Sequence, residues 1–164
     1  MPALQEGTDV EGKGLYQAAS NSDVKSMKRL LAAYTGEDFL EYKNNSLNTP
    51  LMMACGVSRE KFAIDMTTML LDAGCNIEHK NKQGMTPLMQ AAKRGFPQVC
   101  KLLLERGANM NEEDPKGKKA IDLTRSNDTK EVFFEVTLAL TRTLTRTLTL
   151  TRTLTLTRIG SARH

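Results

Sequence analysis

The fold class predicted by this 164-residue sequence is an α-solenoid: about four stacked helix-turn-helix units joined by β-hairpin connectors. Three observations carry the prediction. Leu103-Leu104-Glu105-Arg106-Gly107-Ala108-Asn109 repeats Leu70-Leu71-Asp72-Ala73-Gly74-Cys75-Asn76 at a separation of 33 residues. Thr49-Pro50-Leu51 returns as Thr86-Pro87-Leu88, each time ahead of small and apolar residues. Apolar segments of helical period stop at glycines such as Gly95 and Gly107, and polar, turn-rich stretches follow.

The first unit is the least regular. Leu15-Tyr16-Gln17-Ala18-Ala19 echoes the first helix of the later units, and Ser20, Asn21, Ser22, Asp23, Lys25, Ser26, Lys28 and Arg29 supply the polar exterior of an end unit. Its second helix closes on Ala32-Ala33-Tyr34-Thr35-Gly36 instead of Leu-Leu-x-x-Gly. In the second unit Thr49 is a helix N-cap, with Pro50 at the first helical position, where its missing N–H costs nothing. Four additional residues lie between Cys55 and Leu70, in the region Gly56 to Phe62; they read as a candidate contact loop or as a longer second helix.

The third unit is the most complete. Thr86-Pro87 starts a short helix carrying Leu88, Ala91 and Ala92, and Pro97 starts a second with Val99, Leu102 and Leu103 at the spacing of a buried stripe. Gly107 ends it by taking the left-handed conformation. In the fourth unit Asp114-Pro115-Lys116-Gly117 lies over Asn81-Lys82-Gln83-Gly84, Lys119 stands where threonine capped the earlier helices, and the second helix closes near Val132 to Val136.

With these motifs in place the chain resembles the ankyrin repeat over about Gly14 to Val136. The division that follows is a disordered N-terminus over 1–13, a repeat domain over 14–136 and a low-complexity Thr/Leu/Arg tail over 137–164. The position after Thr-Pro-Leu, commonly a histidine in the family, is Met52 or Met89 here, which removes one local hydrogen bond per unit, about 1 kcal/mol each. The resemblance implies a non-enzymatic protein-binding module, a scaffold, adaptor or inhibitor, using hairpin tips and first helices as a concave surface. Carried over position by position, that surface comprises Asn45, Ser46 and Asn48, then Lys82, Gln83, Met85, Lys93 and Arg94, then Lys116 and Lys118. Met85 takes the place of an exposed tip residue. The lysines and arginine favour a protein partner with an acidic segment; a solvated charged rim, diluted by Glu112, Glu113 and Asp114, is the alternative reading.

Charge distribution supports a split between body and tail. The formal net charge is +4, but 137–164 holds five arginines and no acid, so the body is close to neutral. Arg142, Arg146, Arg152, Arg158 and Arg163 give the competing function, association with nucleic acid or an anionic surface; the absence of aromatic residues for base stacking and the leucines sharing the arginines' face weigh against it. The strict two-residue period of Thr143 to Arg158 also matches translation of a six-nucleotide repeat.

Catalysis lacks a constellation. His79 falls in a connector and His164 at the end of the sequence; Cys55, Cys75 and Cys100, at spacings of 20 and 25, fit buried thiols in a reduced compartment better than a disulfide set or metal ligands. No cofactor or metal, no signal peptide and no membrane span are expected, and the protein reads as a cytoplasmic or nuclear monomer.

Overall fold

A computed structural model describes residues 5–33, 37–139 and 141. Its helices are α1 (Gln5–Ser20), α2 (Val24–Ala33), α3 (Glu37–Leu40), α4 (Pro50–Gly56), α5 (Glu60–Asp72), α6 (Pro87–Arg94), α7 (Pro97–Glu105) and α8 (Ala120–Leu123), followed by α9 over residues 127–139. The first helices of the units stack as α1, α4, α6 and α8. Behind them α2, α5 and α7 form a second row. This is the two-layer helical solenoid, and its core runs unbroken along the stack between the layers.

Local chemistry accounts for each start and stop. Thr49 Oγ1 accepts the Met52 N–H at 3.4 Å and Thr86 Oγ1 the Met89 N–H at 3.3 Å, with proline at the first helical position in both units. Lys119, which has no such oxygen, is held by Asp122, whose carboxylate accepts the Lys119 N–H at 3.0 Å. Gly95 ends α6 at φ 74°, and Gly107 follows α7 at φ 93°. The inner helices bury small residues, Ala54 and Cys55 in α4 and Ala91 and Ala92 in α6, so that helix axes approach closely; Met52 and Met89 are buried beside them. From the second layer Met66, Leu70, Val99, Leu103 and Phe133 close the core.

The connectors are turns, and among the described residues there is no strand. The hairpin ladder implied by the resemblance is reduced to two backbone bonds per connector. Asn81 N–H donates to the Met85 carbonyl at 3.2 Å and Gly84 N–H to the Asn81 carbonyl at 2.9 Å. The same pairing recurs at Asn44 and Asp114. A side-chain oxygen does the remaining work. Oδ1 of Asn44 accepts from Ser46 and Asn48 N–H, Oδ1 of Asn81 from Gln83 and Met85, and Oδ1 of Asp114 from Lys116 and Lys118, all at 2.8–3.0 Å. Each turn requires a positive φ at its fourth residue: Gly84 and Gly117 supply it freely, whereas Leu47 adopts φ 59° at the cost of strain.

Units are bonded to one another at their connectors. Asn81 Nδ2 donates to Asn48 Oδ1 at 2.8 Å and Lys82 N–H to the Ser46 carbonyl at 3.0 Å. On the other edge Glu41 accepts the Asn76 N–H at 2.9 Å and Glu78 the Asn109 N–H at 2.6 Å. Arg106 pairs with Asp72 at 2.7 Å, and Glu60 accepts the Gln98 N–H at 2.8 Å.

Several expectations are revised. Residues 5–13, expected as a disordered lead-in, form the first turns of α1; the helix has a surface to lie on there, because Gly12 is buried so closely against Tyr42 that an added Cβ would stand 2.7 Å from the tyrosine Cβ. Of the two readings of the inserted residues, the longer helix is what forms: α5 has 13 residues and α7 has 9. The last helix passes the expected boundary at 136 and continues to residue 139, with Thr137 Oγ1 bonded back to the Phe133 carbonyl at 2.7 Å. His79, placed in a connector as expected, has its Nε2 2.8 Å from the Leu47 carbonyl oxygen. Tyr34 to Gly36 and the tail from residue 142 onward, with its five arginines, lie outside the described residues.

Leu47→Gly is expected to raise stability by roughly 1 kcal/mol, the relief of left-handed strain outweighing the added freedom of the unfolded chain; equilibrium urea unfolding measures it. Asp114 is held below the usual carboxylate range by the Lys118 and Lys116 backbone N–H bonds. A depressed carboxylate stabilises above its unfolded value, and the contribution disappears as pH falls through the folded one. Asp114→Asn, which matches the other two turns, is therefore expected to leave neutral stability unchanged and to shrink the drop in urea midpoint between about pH 7 and about pH 3. The three cysteines are buried; burial pushes the Cys55 and Cys75 thiols up to about 12 and the Cys100 thiol higher still. A chromogenic disulfide reagent at about pH 8 is expected to leave all three unreacted in the folded chain and to titrate all three in denaturant.

Candidate functional site

The third and fourth units meet at a half-open cleft of about 860 Å³. Its third-unit wall is Gln83 and Met85 from the connector and Lys93 from the last turn of α6. The fourth unit contributes Pro115, Lys116 and Lys118 from the connector ahead of α8, and Leu123 and Arg125 from its end. Close approach of the two connectors builds the cleft. Gly84 sits against Pro115 so tightly that a Cβ there would lie 2.4 Å from the proline Cδ.

The floor is apolar and the walls are basic. Met85 is buried, Leu123 half-buried and Pro115 exposed. Lys93, Lys116, Lys118 and Arg125 bring four cations to the lining, and none of them enters either of the ion pairs found among the described residues, Lys80–Glu112 and Arg106–Asp72. The two carboxylates in the lining, Asp114 and Asp122, are occupied with backbone N–H groups. Glu112 is likewise committed, to Lys80 at 2.6 Å and to Asn109 Nδ2 at 3.0 Å, and both contacts hold its carboxyl below the usual range. Glu112 is thus engaged outside the cleft, and with four cations against the two carboxylates Asp114 and Asp122 the lining keeps a net positive charge.

Of the surface residues carried over from the resemblance, Gln83, Met85, Lys93, Lys116 and Lys118 converge on this one cleft. Lys82 and Arg94 are exposed beside it without lining it. Asn45 and Ser46 are exposed at the second connector, and Asn48 is engaged by Asn81 in stacking. Met85 is corrected from an exposed tip residue to a buried one, 7% accessible, because its N–H and carbonyl both close the Asn81 turn and draw its side chain under the loop.

Arg125, Leu123 and Pro115 were not foreseen. Arg125 lies 33 residues beyond Ala92, a buried inner-helix position, and on that register it reads as core. The fourth unit departs from the register because α8 stops at Leu123 and Thr124 is extended, φ −82° and ψ 139°, which swings Arg125 out to the cleft. The signal available beforehand was the charge itself, since an arginine at an alanine position of a packed stack is incompatible with burial.

Among the described residues no group of three or more histidine, cysteine, aspartate or glutamate side chains is placed to hold a metal ion, and no helix is long and apolar enough to cross a membrane.

Comparison with known proteins agrees with this architecture. The family model of ankyrin repeats, three copies, matches residues 15–114, well over half of the chain. Human ankyrin repeat and KH domain-containing protein 1 is 42% identical over 64 residues, 39% of this chain and 2% of that protein. The provisionally named E3 ubiquitin-protein ligase XBAT34 of Arabidopsis thaliana is 31% identical over 128 residues, 78% of this chain and 33% of its own length. Human ankyrin repeat and SOCS box protein 11 is 29% identical over 117 residues, 71% of this chain and 34% of that protein. The chain thus spans about a third or less of the length of these relatives, and what it shares with them is the repeat array. Repeats of this kind are generally protein–protein interaction modules. With three repeat copies matched and the stacked helix pairs on which they depend formed, the chain belongs to the ankyrin-repeat family.

Proposed function

We propose that this chain is a non-enzymatic binding module that takes a protein partner on its connector and first-helix surface, with the cleft between the third and fourth units receiving an acidic segment of that partner. The observation that carries the reading is the net positive lining of the cleft: Lys93, Lys116, Lys118 and Arg125, none in a close ion pair, against two carboxylates, Asp114 and Asp122, whose oxygens accept backbone N–H groups. Exposed cations of this kind add modest affinity and strong steering, so they select partners by sign of charge and speed their encounter. Exposed Lys82 and Arg94 extend the same field.

The XBAT34 and ankyrin repeat and SOCS box relatives carry their repeats within chains about three times as long as the shared region. By analogy the present repeats supply recognition, and any chemistry belongs to what they are assembled with.

Charge reversal tests the assignment. The full chain, immobilised, is expected to capture acidic proteins from a lysate of the source organism, with release as salt rises past about 0.15 M, where the screening length is about 8 Å. Lys93→Glu with Arg94→Glu is expected to weaken capture at least tenfold and to flatten its salt dependence. Unchanged affinity and unchanged salt slope in that variant would show the basic face to be a solvated rim.

A further inference from the structure

We infer that the cleft between the third and fourth units reads a single apolar side chain set within an acidic stretch, so that the partner segment is recognised by one large aliphatic anchor flanked by carboxylates. The inference rests on the binding reading above and narrows it. Charge alone is a poor discriminator, since exposed cations attract any acidic chain and salt screens the attraction. The cleft differs from a merely basic surface in having an apolar floor, the buried Met85 and half-buried Leu123, with exposed Pro115 beside them in the lining.

That apolar lining has a cause in the fold. Pro115 is fixed against Gly84 by the approach of the two connectors, and Met85 is drawn under its loop by the Asn81 turn. Leu123 is the last residue of α8, where the helix stops early; it packs against the core, is half-buried, and lines the cleft. Methionine is unbranched and polarizable, so the floor adapts to the shape of an aliphatic guest. The half-open cleft of about 860 Å³ has room for a side chain together with the backbone on either side of it.

The cations reach the same cleft from three separate stretches of chain: Lys93 from the end of α6, Lys116 and Lys118 from the fourth connector, and Arg125 from beyond α8. An anchor seated on the floor therefore has carboxylate-binding groups near its preceding and its following residues. Charge complementarity commits the occupant to an acidic peptide segment; the buried apolar contact then supplies the discrimination that charge does not.

The test uses the full chain and two synthetic fluorescent nonapeptides of aspartate and glutamate, one with a central leucine and one with a central alanine, measured by fluorescence anisotropy. The leucine peptide is expected to bind at least tenfold more tightly, and the ratio is expected to persist as salt is raised, because salt weakens both peptides alike. Leu123→Ala is expected to bring the ratio below threefold while leaving the alanine peptide unaffected. Lys116→Gln with Lys118→Gln, which keeps the turn N–H groups, is expected to weaken both peptides and preserve the ratio; unfolding midpoints confirm that each variant is folded. Equal, salt-sensitive binding of the two peptides overturns the anchor and leaves the acidic-partner reading standing. Binding of neither overturns both. A single-stranded oligonucleotide of equal charge that competes as well as the leucine peptide also overturns the proposal.

Discussion

In every connector a single side-chain oxygen, Oδ1 of Asn44, Asn81 or Asp114, accepts two backbone N–H groups and closes the turn. The consequences spread outward from that contact. It fixes which residue takes the left-handed conformation, brings the Asn81 amide within reach of Asn48, and aligns the Lys82 N–H with the Ser46 carbonyl. It also sets the spacing at which the threonine caps begin the next helices. A two-helix unit exposes too much apolar surface to persist alone, so the fold depends on neighbours meeting in register, and the register is decided in the turns.

The two kinds of contact along the stack have different jobs. Burial of Leu51, Met52, Leu88, Met89 and their partners in the second layer supplies most of the driving force, and it is nearly indifferent to small sliding of one unit on another. The directional bonds at the edges are not indifferent. Glu41 on Asn76 and Glu78 on Asn109 repeat the same clasp one unit apart, and each is satisfied at only one offset. Individually worth about 1 kcal/mol, such bonds choose among alignments that the hydrophobic contact would tolerate.

Legibility in the sequence followed the range of the interaction responsible. The Thr49-Pro50 and Thr86-Pro87 starts, the glycine stops and the small inner-helix residues are governed by contacts within a few positions of chain, and they read correctly. Met85 did not, because its burial depends on a turn closed by Asn81 and on the connector of the next unit. The first turns of α1 were missed for a similar reason: their support is Tyr42, some thirty positions away. At the cleft the lysines were legible as repeat positions. Arg125 was hidden by the repeat itself, whose register assigns it to a buried site until the early stop of α8 is known. Periodicity is informative where units obey it, and the cleft forms where one unit departs from it.

The joint across which the cleft is built lies toward the end of the described array. Its outer unit begins with a helix of four residues, against eight in α6, and has a packed unit on one side among the described residues. In a linear stack the terminal unit detaches at lower free energy than any interior one. A pocket shared between the third and fourth units exists only in molecules whose fourth unit is docked, so its apparent affinity is the intrinsic affinity scaled by the docked fraction. Occupancy shifts that fraction in return, by mass action. On the binding reading proposed above, recognition and the docking of α8 and α9 are therefore a single coupled equilibrium, and changes in the far face of α9 would act on affinity through it.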